Sequence, residues 1–166
     1  MKMLVAVLLS VCVIMVAGCG KRSGERIAEK MAEAAMAKDG VKGKVNISGD
    51  KVTIETKDGK STFASGGNAK VPENFPKDVP VYAGASILAS ASVPNGSVLT
   101  LQTKDAAAKV MSFYKGKLTG SGWTSEMTME QGEQLMSAYK KGKKTISIIA
   151  GKSDKLTSIT ITASDE

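Results

Sequence analysis

The sequence predicts an α+β fold: an N-terminal α-β-β-β meander unit, then a β-β-α-β-β-β-β antiparallel sheet with one packed helix. Three observations lead there. Two stretches rich in Ala, Lys and Met carry apolar residues at helical spacing. Most of the remaining apolar residues alternate with period two between Gly-, Asn- and Asp-containing turns. A single Pro/Gly-rich run, 66–80, interrupts the pattern and separates the two halves.

The first element covers Ser23 to Lys38, where Ala, Glu, Lys and Met favour a helix. Ser23 suits its cap, Glu25 its positive N-terminal end, and Gly40 its termination. Ile27, Met31, Ala34 and Ala35 form one apolar stripe. Val45 and Ile47, then Val52 and Ile54, then Phe63 follow with strand periodicity, separated by Gly49-Asp50 and Asp58-Gly59. Two-residue loops set Ile47 opposite Val52 and Val45 opposite Ile54, and the second turn sets Phe63 opposite Ile54, so that all five share one face. That face needs a cover, and the helical stripe is the local candidate. Residues 23–65 are therefore expected to form one small unit.

The run 66–80 holds three of the four prolines and reads as a stiff linker, with Phe75 arguing that it docks on a neighbouring domain. The second domain, 81–166, opens with strands at Ser86 to Val93 and Ser97 to Thr103 around Pro94-Asn95-Gly96. Asp105 then caps a helix ending near Gly120, with Ala107, Val110, Met111, Tyr114 and Leu118 on its apolar face. Four strands complete the chain, Trp123 to Met129, Gln134 to Lys140, Lys144 to Ala150 and Leu156 to Ala163, with turns at Lys141-Gly142 and 151–154. Short loops make neighbours antiparallel.

Ahead of all this, Met1-Lys2-Met3 and the apolar run Leu4 to Ala17, broken only by Ser10, have the layout of a signal peptide, 1–18. The run falls short of the roughly 20 residues that a spanning helix needs. Its end, Val16-Ala17-Gly18-Cys19, resembles the lipobox of bacterial lipoproteins. That resemblance implies cleavage after Gly18, a covalent lipid on Cys19 as the one attached group, and a short tether, 19–22. Gly20 stands where an Asp would favour retention at the inner membrane, so the expected address is the outer membrane, facing the periplasm. Cys12 is discarded and Cys19 lipidated, which leaves no thiol and no disulfide.

A second resemblance spans most of the mature chain. Pro72-Glu73-Asn74-Phe75-Pro76-Lys77-Asp78-Val79-Pro80-Val81-Tyr82-Ala83-Gly84-Ala85, with the later Phe113-Tyr114-Lys115, Leu118 and Gly122-Trp123, resembles a pattern in small exported bacterial lipoproteins of uncharacterised function. Its motifs are a proline-stiffened entry and a helix-to-strand turn closed by Gly-Trp. They imply class and location and supply no catalytic residue.

The chemistry-bearing residues are sparse. A net charge of +7 suits phospholipid headgroups, lipopolysaccharide or wall polymers outside the cell, and no nucleic-acid module is visible. Without histidine, Ser-His-Asp, Cys-His and His-zinc chemistry are excluded, and the serines, lysines and acids lack signature spacing. Gly59-Lys60-Ser61 and Gly151-Lys152-Ser153 are not phosphate loops, because Ile54 and Ile146 stand where the upstream glycine belongs. Met127, Met129 and Met136 have a spacing that could hold soft Cu(I), although alternating methionines on a strand ordinarily fill a core. Trp123 reads as a core or rim residue. Lys140, Lys141, Lys143 and Lys144 surround Gly142 at a hairpin tip, either as a contact for anionic surfaces or as a solvated turn that protects strand ends. The expected function is a membrane-anchored, non-catalytic binding or scaffolding lipoprotein. A copper-binding lipoprotein is the alternative, and an envelope enzyme without histidine the third reading.

Overall fold

The computed structural model describes residues 21–165, with side chains from Gly24 onward; the expected signal segment, Gly18 and Cys19 lie outside them. The architecture is mixed α+β. In chain order come α1 (Lys21–Lys38), β1 (Gly43–Ser48), β2 (Lys51–Thr56), β3 (Gly59–Ser65), β4 (Ser86–Val93), β5 (Gly96–Thr103), α2 (Ala107–Gly120), β6 (Thr124–Gln131), β7 (Gln134–Lys141), β8 (Lys144–Ser153) and β9 (Leu156–Asp165). Among the described residues no helix is long and apolar enough to cross a membrane. The described residues form two compact units, 21–62 and 63–165, so the division falls inside β3.

In the first unit β1 and β2 pair antiparallel with Ile47 opposite Val52 and Val45 opposite Ile54. The helix does something the apolar stripe did not suggest. Glu33, Glu29 and Glu25 accept hydrogen bonds from the backbone N–H groups of Val45 (2.9 Å), Ile47 (2.7 Å) and Gly49 (3.1 Å). Four residues of helix advance about 6 Å and two residues of strand about 6.6 Å, so glutamates at every fourth position can serve alternate N–H groups of an edge strand. The carboxylates supply acceptors that a further strand would otherwise provide. Met36 and Val45 are buried, whereas Ile27 and Met31 are 61% and 64% exposed. The helix therefore seals an edge instead of covering a face with its stripe. It also starts at Lys21, which places Ser23 inside the helix rather than at its cap. Its end is as expected: Gly40 has φ +77°, and the N–H groups of Asp39, Gly40 and Val41 close on Met36 and Ala37 carbonyls.

The second unit carries strands in the order β4-β5-β9-β8-β7-β6, all antiparallel. The last strand in sequence thus lies in the middle, between β5 and β8. Alternation places Leu99, Ile161, Ile148 and Ser137 in one row across four strands, and Leu101, Ile159, Ala150 and Leu135 in the next. Helix α2 contributes Val110, Met111, Tyr114 and Leu118 to the same core. Each fully buried Leu, Ile or Val there stabilises the fold by about 1.5–3 kcal/mol. The run 66–80 belongs to this unit: Phe75 and Val79 are buried within its core. Strand β8 continues to Ser153, so its turn is Asp154-Lys155 rather than 151–154. The β7–β8 hairpin turns at Gly142-Lys143, with φ +61° at Gly142.

Candidate functional site

At the end of α2 the chain reverses through Ser121 and Gly122, the latter at φ +83°. The Trp123 N–H then returns to the Leu118 carbonyl (3.0 Å), which aims the indole into the core at 3% exposure. Its ring N–H donates to Asp78 Oδ2 (3.0 Å), in the proline-rich run. Lys141 Nζ, at the end of β7, donates to the same oxygen (2.6 Å) and to the Ser121 carbonyl (2.8 Å), and sits 5.9 Å from the Trp123 ring centre. Three distant segments therefore meet at one carboxylate. Burial pushes the Asp78 carboxyl upward and is the largest single influence. It is outweighed together by hydrogen bonds from Lys141, Trp123 and the backbone and by the Lys141 charge, so the net pKa is lowered.

Beside this brace lies an open cleft of about 570 Å³, lined by Asp78, Lys141, Lys143, Lys144 and Asp165. Lys144 is the cross-strand neighbour of Asp165. The four lysines of the hairpin tip consequently separate into roles. Lys141 is engaged in the brace, while Lys143 and Lys144 stand exposed along the cleft. Lys140, half-buried, falls on the opposite face of the strand by alternation. Cations carried on a rigid hairpin suit an anionic group presented from outside. Among the described residues no cluster of three or more Cys, Asp or Glu is placed to hold a metal.

The methionines are not core residues, contrary to the ordinary expectation for alternating strand methionines. Met127 and Met129 are 41% and 45% exposed, and Met129 pairs with Met136, which pairs with Ile149. Together with Gln131 and Gln134, the last three of these line a shallow hollow. The physical reason is parity. Thr128 and Ser137, whose hydroxyls lie 3.3 Å apart, take the side of the core row, which turns the thioethers to the other face.

Asp105 departs from its expected role as helix cap. Ala106 holds the cap position without a side-chain bond, and Asp105 accepts from Tyr82 Oη (2.8 Å) and Lys109 Nζ (2.9 Å) instead. Hydrogen bonds from Lys109 and then Tyr82 hold its carboxyl below the usual range, whereas burial and the bond to Asp105 push the Tyr82 phenol up. The Tyr82 ring meets Phe113 edge-on at 5.0 Å, and Phe113 meets Tyr114 at 5.1 Å. This second brace was missed in the sequence, although Asp105 and Lys109 at i,i+4 were its visible half.

Residues 84–165 match a family model described as START domain-like. No curated protein matches the chain. The matched stretch takes in β4 to β9 and α2 together with Trp123, Lys141 and the lysines of the cleft, while Asp78 and Tyr82, the remaining partners of the two braces, precede it.

Proposed function

We propose that this chain is a bacterial envelope lipoprotein, anchored through lipid on Cys19 to the outer membrane and facing the periplasm, whose C-terminal domain binds a partner without transforming it. The lipobox Val16-Ala17-Gly18-Cys19 behind an apolar leader is the observation that carries the reading. In it the α-β-β-β segment, 23–65, stands nearest the anchor and the strand-rich domain presents the binding surface. Several features support binding over catalysis. The chain has no histidine. The acids beside the aromatic residues are committed to bracing, Asp78 by Lys141 and Trp123, Asp105 by Tyr82 and Lys109. START-like domains typically bind ligands. Because the space between α2 and the sheet is filled by fully buried side chains, the ligand surface proposed here is the outer cleft with Lys143 and Lys144, suited to anionic lipid, lipopolysaccharide or wall polymer.

The test has two arms. Cys19→Ser should abolish acyl labelling and stop processing at Gly18 in cells; normal maturation and membrane retention of that variant would overturn the anchor. Replacing Lys143 and Lys144 with glutamine should weaken binding of lipopolysaccharide or wall polymer by the lipid-free protein, and the difference should vanish at high salt. Equal binding at low salt would remove the cleft from the reading.

One observation favours a second reading, soft-metal binding: Met127, Met129 and Met136 share an open face on adjacent strands.

A further inference from the structure

Helix α1 is inverted relative to an ordinary surface helix. Its acids, Glu25, Glu29 and Glu33, all turn to the backbone of β1, while Ile27 and Met31 face outward with more than half their surface exposed. At 100° per residue Ile27, Met31 and Ala34 fall within about 60° of one another, on the side away from the glutamates. Lys30 and then Arg26 follow along one edge of this stripe, about 60° and 100° from Ile27, Lys38 lies in line with it, and all three are exposed. The outward face therefore combines apolar side chains with cations and carries no carboxylate of the helix. An apolar stripe edged by Lys and Arg is the pattern that lets a helix lie in the headgroup region of a bilayer.

We propose that this face of α1 lies on an anionic phospholipid surface, with Ile27 and Met31 inserted among the headgroups and Arg26, Lys30 and Lys38 paired with their phosphates. Charge complementarity selects such a surface over an uncharged apolar partner, since every ionised group that the face presents is positive. Chain continuity agrees. The helix begins at Lys21, two residues after Cys19, so a lipid at that cysteine holds the start of α1 at the membrane. That setting rests on the anchor proposed above, but the helix contact is separable from it. The glutamates give the arrangement its logic: by fastening α1 to the β1 edge, they leave the opposite face free for the bilayer.

The experiment uses the complete mature chain with serine at position 19, which has no lipid, and sedimentation with vesicles of phosphatidylcholine alone or mixed with phosphatidylglycerol. The chain should bind the anionic vesicles and not the neutral ones. Ile27→Ser with Met31→Ser should weaken that binding at least tenfold, and Arg26→Glu with Lys30→Glu should abolish its dependence on salt together with most of the binding. Both double variants should melt as wild type does, because the altered side chains are exposed. The losses of both helix variants should persist when Lys143 and Lys144 are also replaced with glutamine, which separates this surface from the cleft. Failure of the lipid-free chain to bind anionic vesicles, or unchanged binding by either helix variant, overturns the proposal, as does a dimer that ignores vesicles and is lost in Ile27→Ser, Met31→Ser. Acylation of Cys19, read by mass spectrometry of the native protein, decides the anchor independently of all these outcomes.

Discussion

Removing the Asp78 carboxylate should loosen the second unit, and the structure gives the size of the effect. Asp78→Ala leaves the indole N–H of Trp123 without its acceptor, and the indole is almost wholly buried. An unsatisfied buried donor costs about 1–3 kcal/mol. The ion pair with Lys141 adds less. Its side chains are 36% and 42% exposed, and solvent-screened pairs of this kind contribute about 0.2–1 kcal/mol. The sum is roughly 1–4 kcal/mol, which for a unit of this size lowers the melting temperature by about 5–30 °C. Asp78→Asn keeps an acceptor for Trp123 and should lose about 1 kcal/mol, and Lys141→Met should lose less than about 1 kcal/mol. Trp123 is the single tryptophan, so its fluorescence during urea unfolding reports on the brace directly. Because the folded-state pKa of Asp78 is lowered, its contribution is fully present above the unfolded carboxylate value of about 3.9 and is lost as pH falls through the folded value beneath it. The advantage of wild type over Asp78→Asn should therefore hold from neutrality down to about pH 4 and shrink below. An Asp78→Ala protein within 0.5 kcal/mol of wild type, or a Lys141→Met loss as large as that of Asp78→Ala, would refute the shared-acceptor account.

Two glycines should respond in opposite directions. A Cβ at Gly96 would lie 2.5 Å from the Ala163 carbonyl oxygen, so Gly96→Ala must push β5 from β9 and should destabilise by more than about 2 kcal/mol in chemical denaturation. A Cβ at Gly116, inside α2, meets nothing within 4 Å, and Gly116→Ala should raise stability by about 0.5–1 kcal/mol through helix propensity.

Much of the fold was legible because local signals and tertiary needs agreed. The Ser86 to Val93 strand, the Val45–Ile54 register and the Gly40 stop each follow from spacing and turn chemistry alone. What was not legible depends on partners distant in sequence. Nothing near Glu25, Glu29 and Glu33 announces that they will face a strand edge, since their spacing equally fits a solvated helical face. Ile27 and Met31 were then assigned inward by the ordinary rule that apolar stripes are buried. The placement of β9 between β5 and β8 is a topological choice that no turn encodes. The site was half visible. Clustered lysines marked the hairpin tip, but only folding brings Asp78 from 63 residues upstream to engage Lys141 and leave Lys143 and Lys144 exposed along the cleft.

The methionine face yields a prediction that separates the two functional readings. Met129 and Met136 are direct cross-strand neighbours, with Cβ atoms about 5 Å apart by sheet geometry, and Met127 follows on the same face about 7 Å along β6. Each side chain has three rotatable bonds, so the three sulfurs can converge on one ion without moving the backbone. Thioethers select soft Cu(I) over harder divalent ions. They also carry no proton to displace, which gives a signature: affinity should be flat between pH 5 and 7, whereas ligand sets containing carboxylate or imidazole weaken as protons compete. Titration under reducing, anaerobic conditions against a chromogenic Cu(I) chelator should then show one ion per chain, with Met129→Ala and Met136→Ala each weakening it at least tenfold. Because these side chains are not in the core, the same substitutions should change stability by less than about 1 kcal/mol. Absence of stoichiometric Cu(I) uptake would remove the metal reading and leave the methionines, with Ile149, as an exposed apolar patch on the sheet. A pH-dependent uptake that survives both substitutions would place the copper elsewhere, and the soft-metal assignment of this face would fail.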